Sequence, residues 1–293
     1  MTTDSSYEGT LKELKTDLGV LRYHEAGDGP PLLLLHGSGP GVTGWRNFRG
    51  NLGVFAEHFR TFVLEFPGFG VSDDFGGHPM LTAGDAVLRF LDGLGLDEVA
   101  MLGNSMGGIV ATQFAIAHPD RVGKLITIGG IGRNLFSPGP GEGINLLTEF
   151  TDDPTRERLI AWLHSMVFDP PAMVTEELIE ERWTQATDPP ETLASARKMY
   201  SKAAFEAGAK AALESDATPY WAQLHKVKAP TLLTWGRDDR VSPLDMAIIP
   251  MRSIPRAELH VFPNCGHWAM IEQKTAFESA VLAFLLRKDG SER

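Results

Sequence analysis

The chain has 293 residues, 43% of them hydrophobic, and a formal net charge of -11. That length and apolar content suffice for a substantial buried core. The acidic excess disfavours nucleic acid and anionic membrane surfaces as partners, because phosphate contacts need clustered lysine and arginine. Apolar runs fall far short of the roughly 20 residues that span a bilayer, and the N-terminus lacks a basic-then-apolar signal. With Cys265 as the single cysteine, no intrachain disulfide can form, and we expect a cytoplasmic protein.

Short apolar runs alternate with helical patterns between a polar N-terminus (1–10) and a polar tail (287–293), both expected to be irregular. The strand-like runs are Leu32–Leu35, Arg60–Phe66, Val99–Leu102, Lys124–Ile128, Thr231–Trp235 and Glu258–Phe262. Helical patterns include Ala83–Leu94, Met106–His118 and Ala276–Arg287. Continuous apolar runs are typical of strands buried on both faces. The order therefore predicts an α/β fold with a mostly parallel sheet and helices on both faces.

The alternation stops after Ile128 and resumes only at Thr231. The intervening stretch is helix-rich, and aspartate-proline breaks at 152–154, 169–171 and 188–190 mark helix starts. Such an insertion is too long for a loop. We predict a core formed by residues 1–133 and 225–293, with a helical lid over residues 134–224. The lid should cover the carboxyl ends of the strands, where open α/β sheets keep their sites.

A candidate nucleophile lies in the turn Gly103-Asn-Ser-Met-Gly107, which follows a predicted strand and opens a predicted helix. In that context G-x-S-x-G indicates a tight turn that exposes Ser105. The backbone N–H of Met106, at the helix N-terminus, can then bind a developing oxyanion. The alternative is a glycine-rich turn with an incidental serine.

A neutral serine needs a base, and the base needs an orienting acid. Both follow later in the chain at the ends of predicted strands: Asp238 and Asp239 after Trp235, and His267 after Phe262. The turn after Ile128, a rival position for the acid, carries only glycines. We choose Asp239 because a Gly-x-x-Asp spacing reaches it; Asp238 is then a surface turn residue or a helix cap.

The loop His36-Gly-Ser-Gly-Pro-Gly41 follows the first predicted strand. Glycines let a backbone approach a ligand closely, so a main-chain N–H of this loop can face Met106 across a reacting carbonyl. We expect Gly39 to supply that N–H, and Ser38 to offer a hydroxyl donor.

Together these motifs resemble one family of α/β hydrolases, the meta-cleavage product hydrolases, along nearly the whole chain. The most specific segments are His36 to Gly41, Gly44 to Asn47, Gly103 to Gly108, Trp235 to Arg240 and Cys265 to Trp268. One departure is Glu65, where the family often has aspartate. The resemblance implies hydrolysis of a carbon–carbon bond in anionic 2-hydroxy-6-oxo-hexa-2,4-dienoates from aromatic catabolism. It also implies no metal or organic cofactor, and a homo-oligomer, either a dimer or a higher assembly.

The resemblance also implies substrate-binding residues, the most informative being Arg182 for the substrate carboxylate. The residues independently support it, because Arg182 shares an apolar helix face with Ile179 and Ala186, where a cation requires an anionic partner. An internal ion pair is the alternative. By the same matching, Asn47 and Asn104 would contact the dienoate, Trp268 would lie beside His267, and Phe168 would line the pocket. The group on C6 stays open; bulky residues that could shape its pocket are Met166, Phe168, Met173, Trp183 and Met199.

The implied mechanism begins with ketonisation of the dienol, followed by attack of Ser105 on the C6 ketone, with His267 as base and Asp239 as orienting acid. A carboxylesterase of the same fold is the nearest alternative, and a slow-turnover ligand receptor is a more distant one. Dehalogenases and epoxide hydrolases of this fold use an aspartate nucleophile, whereas position 105 is serine.

Overall fold

A computed structural model describes residues 6–132, 135, 140–188 and 190–288. Its strands form one sheet in the order β1-β2-β4-β3-β5-β6-β7-β8. The strands are β1 Leu11–Lys15, β2 Val20–Ala26, β3 Pro31–Leu35, β4 Arg60–Leu64, β5 Val99–Asn104, β6 Val122–Ile128, β7 Thr231–Gly236 and β8 Ala257–Phe262. β2 is antiparallel to both of its neighbours, and the pairs from β4 to β8 are parallel. The predicted α/β-hydrolase architecture is confirmed.

Helices precede, separate and follow the strands. They are α1 Tyr7–Thr10, α2 Gly44–Ala56, α3 Pro79–Gly93, α4 Met106–Ala117, α5 Glu142–Asp152, α6 Arg156–Met166, α7 Pro170–Met173, α8 Glu176–Thr187, α9 Pro190–Tyr200, α10 Lys202–Glu214, α11 Ile248–Ser253, α12 Ala269–Glu272 and α13 Lys274–Leu286. Within the described ranges, none of them is long and apolar enough to cross a membrane.

Alternating side chains of the central strands enter two cores, one on each face of the sheet. In β3, Leu32 and Leu34 pack with α2 and α13, whereas Leu33 and Leu35 pack with α3 and α4. Successive strand side chains point to opposite faces, so four consecutive leucines fill both cores. This burial on both faces is the physical reason that continuous apolar runs predicted these strands.

The prediction of an irregular N-terminus is wrong for residues 6–10. Ser6 caps α1 by accepting a hydrogen bond from the N–H of Gly9 at 3.1 Å. β1 and β2 then extend the sheet, although neither was predicted. β1 is an edge strand whose side chains are all exposed or only partly buried, so its sequence lacks the apolar run that identifies the central strands. The tail beyond residue 288 lies outside the described residues.

Element ends differ from the predictions by a few residues, and one difference matters for the site. β4 ends at Leu64 rather than at Phe66, because both carboxylate oxygens of Glu65 turn towards the start of α2. They accept hydrogen bonds from the N–H groups of Gly44 at 2.7 Å and Trp45 at 2.9 Å. Glu65 thus satisfies two free N–H groups at a helix N-terminus and fixes the helix that carries Asn47.

Helices α5 to α10 all lie between β6 and β7 in the chain, as the interrupted alternation predicted. Side chains of α5, α6 and α8 join the core cluster on the α2 face of the sheet. The predicted boundary between residues 133 and 134 lies outside the described residues.

Candidate active site

Ser105 lies in a strained turn between β5 and α4. Its φ of 50° and ψ of -113° place a non-glycine residue in a rarely populated conformation, at a cost of about 1–3 kcal/mol. The turn is tight enough that a Cβ on Gly107 would lie 2.2 Å from the carbonyl oxygen of Leu35. A hydrogen bond from the N–H of Ser105 to the carbonyl of Ile128, at 2.8 Å, holds it in place. The backbone therefore holds Ser105 at the carboxyl edge of the sheet.

His267 and Asp239 form a buried hydrogen-bonded pair at the same edge. Asp239 Oδ2 lies 2.7 Å from His267 Nδ1, and both side chains are almost fully buried. Asp239 Oδ1 accepts hydrogen bonds from the N–H groups of Val241 and Ser242, each at 2.8 Å. Both oxygens are therefore fixed, and the second holds the imidazole with Nε2 available for chemistry.

Asp238 has different partners. Its carboxylate pairs with the Arg237 guanidinium at 3.1 Å and accepts a hydrogen bond from the N–H of Cys265 at 3.3 Å. These contacts lie within the β7 and β8 turns and involve no contact with His267. Of the two adjacent aspartates, the structure brings only Asp239 to the histidine.

The loop after β3 is shaped by a neutral histidine. The N–H of Phe66 donates to His36 Nε2 at 3.0 Å, which leaves Nδ1 to donate to the carbonyl of Gly37 at 2.6 Å. Burial lowers the pKa of His36 to about 4, consistent with this neutral tautomer. Further along, a Cβ on Gly39 would lie 2.9 Å from the indole ring of Trp162. Only glycine lets helix α6 pack this closely against the predicted oxyanion donor.

Ser105 and His267 line one small cavity of about 10 Å³. Its lining residues are Gly37, Ser38, Gly39, Val42, Asn47, Asn104, Ser105, Trp162, Met166, Arg182, His267 and Trp268. We call this the catalytic space. It joins the β3 loop, the Ser105 turn, the His267 loop and helices α2, α6 and α8, so most of the predicted site residues meet there.

Three buried donors around the catalytic space have no hydrogen-bond partner in the described part of the chain. They are Asn47 Nδ2, Trp162 Nε1 and Arg182 Nε. An unpaired buried donor costs roughly 1–3 kcal/mol. Three such donors lining one cavity indicate a ligand rich in acceptor oxygens.

Leaving Arg182 without a partner costs more free energy than leaving the other two donors unpaired, because Arg182 is charged and only 3% exposed. Among the described residues it makes one hydrogen bond, from Nη1 to the carbonyl of Pro40 at 3.3 Å, and its guanidinium lies 5.3 Å from the ring centre of Trp268. Burial lowers the pKa of Arg182 to about 10, so it still carries its charge at neutral pH. The alternative of an internal ion pair finds no support, since no described carboxylate pairs with Arg182.

Three other predicted residues, Asn104, Ser38 and Phe168, have different surroundings. Asn104 lines the catalytic space but donates to the carbonyl of Ile128 at 3.3 Å, so part of its role is to hold the turn. The hydroxyl of Ser38 is hydrogen-bonded to that of Tyr200. Phe168 is 46% exposed and does not line the catalytic space. Its prediction was wrong because α6 ends at Met166, and it is Met166 that faces inwards.

Trp162 was missed by the sequence analysis. It lies in the middle of α6, is only 2% exposed, and packs edge-to-face against Trp268 with ring centres 6.5 Å apart. In the sequence it looks like any tryptophan on the buried face of an amphipathic helix. Only the unpaired indole N–H sets it apart, and that is a tertiary property.

Comparisons with known proteins agree with this geometry. The sequence profile of the α/β hydrolase fold family matches residues 30–274. A 2-hydroxy-6-oxo-6-phenylhexa-2,4-dienoate hydrolase of Burkholderia cepacia is 39% identical, covering 90% of this chain and 91% of that protein. A 2-hydroxy-6-oxononadienedioate/2-hydroxy-6-oxononatrienedioate hydrolase of Burkholderia vietnamiensis is 40% identical, covering 93% of this chain and 92% of that protein.

Solved structures of the same fold superpose closely. A meta-cleavage product hydrolase from Pseudomonas fluorescens, a serine-to-alanine variant complexed with acetates, gives a TM-score of 0.83 at 27% identity, covering 94% of this chain and 98% of that chain. A serine hydrolase from a polyaromatic-hydrocarbon-degrading Cycloclasticus also gives 0.83, at 28% identity, covering 96% of this chain and 99% of that chain.

Proposed function

This chain belongs to the α/β hydrolase fold family and, within it, to the meta-cleavage product hydrolases, and on that premise we propose that it hydrolyses 2-hydroxy-6-oxo-hexa-2,4-dienoates. The bond cleaved joins C5 to C6, and the products are a 2-hydroxydienoate and a carboxylic acid. The relative from Burkholderia cepacia is named for a 2-hydroxy-6-oxo dienoate, and the relative from Burkholderia vietnamiensis for a 2-hydroxy-6-oxo dienedioate and trienedioate.

One observation supports the assignment: the buried guanidinium of Arg182, which has no carboxylate partner among the described residues and whose Nε is unpaired, lines the same small cavity as Ser105 and His267. A hydrolase of neutral esters has no use for a buried cation beside its nucleophile. A substrate that carries its own carboxylate supplies the missing partner through a charge-assisted hydrogen bond. Asn47 Nδ2, the second unpaired donor on this wall, would bind the 2-oxygen or the carboxylate.

The first chemical step is ketonisation. The proton of the 2-hydroxyl is lost and C5 gains a proton, so that C2 becomes a ketone conjugated to the C3–C4 double bond. His267 is the group in the catalytic space that can carry such a proton. The step matters because the electron pair of the C5–C6 bond can then be accepted by the conjugated ketone.

In the second step Ser105 attacks C6, and its hydroxyl proton passes to Nε2 of His267. Asp239, hydrogen-bonded to Nδ1 at 2.7 Å, stabilises the imidazolium that forms. The N–H groups of Met106 and Gly39 would bind the oxyanion; the first N–H groups of a helix have no intrahelical acceptor. The C5–C6 bond then breaks, its electron pair moves to the 2-oxygen, and His267 returns the proton. Water hydrolyses the acyl-serine to the carboxylic acid.

The decisive experiment follows the yellow dienolate absorbance with purified enzyme and substrates bearing methyl, isopropyl, phenyl or carboxyethyl groups on C6. We expect bleaching with release of the matching acid, and a loss of roughly 10³-fold or more in Ser105→Ala. Substrate binding should survive in Ser105→Ala, detected as a shifted dienolate spectrum.

Two outcomes would contradict the proposal. Failure to bleach any dienoate, with good turnover of simple esters, would leave a carboxylesterase. Bleaching that persists in Ser105→Ala at more than a few per cent would remove the nucleophile assignment.

The lid, the assembly and the location stay predictions. We propose that residues 134–224 act as a lid over the catalytic space and that the enzyme is a cytoplasmic homo-oligomer. Light scattering on the purified full chain measures the assembly directly, and a monomeric mass would contradict it.

A further inference from the structure

A second, much larger cavity of about 490 Å³ lies beside the catalytic space. Its volume falls within the range of roughly 300–1,000 Å³ that is usual for small-molecule sites. The walls are largely aromatic and apolar, and include Tyr7, Trp45, Phe69, Phe150, Leu193 and Tyr200. Exposed side chains such as Val71 at its rim open it to solvent. We call this the outer chamber.

The catalytic space is too small to hold a substrate as it stands. Its volume of about 10 Å³ is at most that of a single water, which needs roughly 10–15 Å³ by the same kind of measure. Gly39 and Val42 line both cavities. The Ser38 and Tyr200 side chains, one from each cavity, are joined by a hydrogen bond between their hydroxyls. This hydrogen bond therefore runs from the lining of one cavity to the lining of the other.

Three arginines are graded in burial from the rim of the outer chamber to the catalytic space. The side chain of Arg49 is 55% exposed and that of Arg46 is 15% exposed, whereas Arg182 is 3% exposed. Arg46 and Arg49 lie three residues apart in α2, which makes them neighbours on its surface. Burial is the main cause of the lowered pKa of Arg182; the charges of Arg46 and Arg49 lower it further, and that of Glu181 raises it.

The order of burial of these arginines matters because the protein as a whole is acidic. The chain has a formal net charge of -11, which repels an anion approaching at random. Arg46 is held by Glu181 at 2.6 Å and by Gln185. Arg49 lies 3.9 Å from the same carboxylate, so two guanidinium groups share one acid. Glu65 and Asp188 also line the chamber, so its lining carries no net excess of positive charge. Arg49 is 55% exposed and its nearest carboxylate lies 3.9 Å away, so its guanidinium is available to an entering anion.

We propose that the outer chamber is the access and holding site for the anionic substrate. Its carboxylate is attracted by Arg49 and passes Arg46, while the conjugated chain lies against the aromatic walls. The Ser38–Tyr200 hydrogen bond then opens to admit the substrate to the catalytic space. This inference rests on the proposed function, because it requires a substrate with a carboxylate.

The first test removes the exposed charge. Arg49→Gln should lower kcat/KM for a dienoate about 3- to 10-fold at low ionic strength, through slower association. The loss should vanish near 0.5 M salt, where the Debye length falls to about 4 Å. Turnover of a neutral ester should not change. Arg252→Gln, an exposed arginine of α11 that lines neither cavity, is the matched control and should match the wild type throughout.

The second test fills the outer chamber. Ala196→Trp, on its wall, should lower dienoate kcat/KM by about 10-fold or more, because the substrate must pass a filled space. Ala207→Trp, an exposed position of α10 outside the chamber, introduces the same side chain as a control. Thermal unfolding of both variants within a few degrees of the wild type would show that they fold.

The outcomes separate this inference from the function on which it rests. If the wild type bleaches dienoates but Arg49→Gln and Ala196→Trp behave like their controls, the outer chamber is not on the substrate path and the proposed function stands. If the wild type bleaches no dienoate, the proposed function and this access path are both contradicted. The path is supported if Arg49→Gln loses kcat/KM for dienoates only, in a salt-sensitive way, and if Ala196→Trp loses dienoate kcat/KM while Ala207→Trp does not.

Discussion

The two walls of the catalytic space differ in how completely the protein satisfies its own polar groups. On the wall built from the core strands, both oxygens of Asp239 are hydrogen-bonded and His267 is fixed between Asp239 and the catalytic space. On the wall formed by helices α2, α6 and α8, Asn47, Trp162 and Arg182 each keep a buried donor without a partner among the described residues. The chemical groups are thus positioned before substrate arrives, while the recognition groups are incomplete without it. Preorganised charge favours catalysis, and unpaired donors favour a substrate that completes them.

The catalytic wall should be the more sensitive to a minimal change. In Asp239→Asn, the amide cannot both accept from the two backbone N–H groups and accept from His267 Nδ1. The imidazole is then held in the wrong tautomer, and kcat should fall by about 10³- to 10⁴-fold. Asp238→Asn, the adjacent control, should lose no more than about threefold, because its partners lie outside the catalytic space. Steady-state kinetics on one dienoate measures both losses of kcat. A larger loss in Asp238→Asn would mean that Asp238, and not Asp239, orients His267.

The recognition wall should discriminate between substrates. Arg182→Ala should cost about 3 kcal/mol of transition-state binding for dienoates, or roughly a hundredfold in kcat/KM, since a charge-assisted hydrogen bond is lost. A neutral ester should lose far less. Arg182→Lys should recover part of the dienoate activity by keeping the charge. Equal losses on both substrate types would instead make Arg182 a structural residue.

The unpaired indole N–H of Trp162 gives a further test of the recognition wall. Trp162→Phe keeps an aromatic ring against Gly39 and removes only the indole N–H and part of the volume. If that N–H donates to bound substrate, KM for dienoates should rise about fivefold, the equivalent of a hydrogen bond of about 1 kcal/mol. The free energy of unfolding should change little, because an unpaired donor is removed along with some packing. An unchanged KM would leave Trp162 as a packing residue.

The smallest expected effect concerns the pH dependence of stability. Burial raises the pKa of Glu65 to about 7 and lowers that of His24 and His36 to about 4. Between about pH 4.5 and 6.5 the unfolded chain therefore binds two more protons at the histidines, and the folded chain one more at Glu65. Stability rises with pH wherever the unfolded state binds more protons. The three groups together thus make stability rise with pH across this window.

Glu65→Gln should remove the opposing proton and steepen that rise by about 1.4 kcal/mol per pH unit. Urea unfolding at several pH values between 4.5 and 6.5 measures the slope. A slope equal to that of the wild type would mean that Glu65 is already ionised across this range, held so by its two backbone hydrogen bonds.

Prediction from sequence succeeded where the physical cause is local. The central strands were found because burial on both faces demands continuous apolar residues, and β1 failed because an edge strand does not. The strained turn of Ser105 was found because only a few residue types fit it. Phe168 was misplaced because the end of α6, two residues earlier, decides which side chain turns inwards.

The sequence by itself determined the fold class, the nucleophile turn, and the order in which Ser105, Asp239 and His267 follow one another. Those features depend on sterics within a few residues and on parallel strands ending at one edge of the sheet. Only the tertiary structure decided that, among the described residues, the indole N–H of Trp162 has no partner and Arg182 has no acid, and that a large chamber lies beside a small catalytic space. Each of these depends on which groups from distant segments meet, and a hydrogen bond that is not made leaves no local pattern in a sequence.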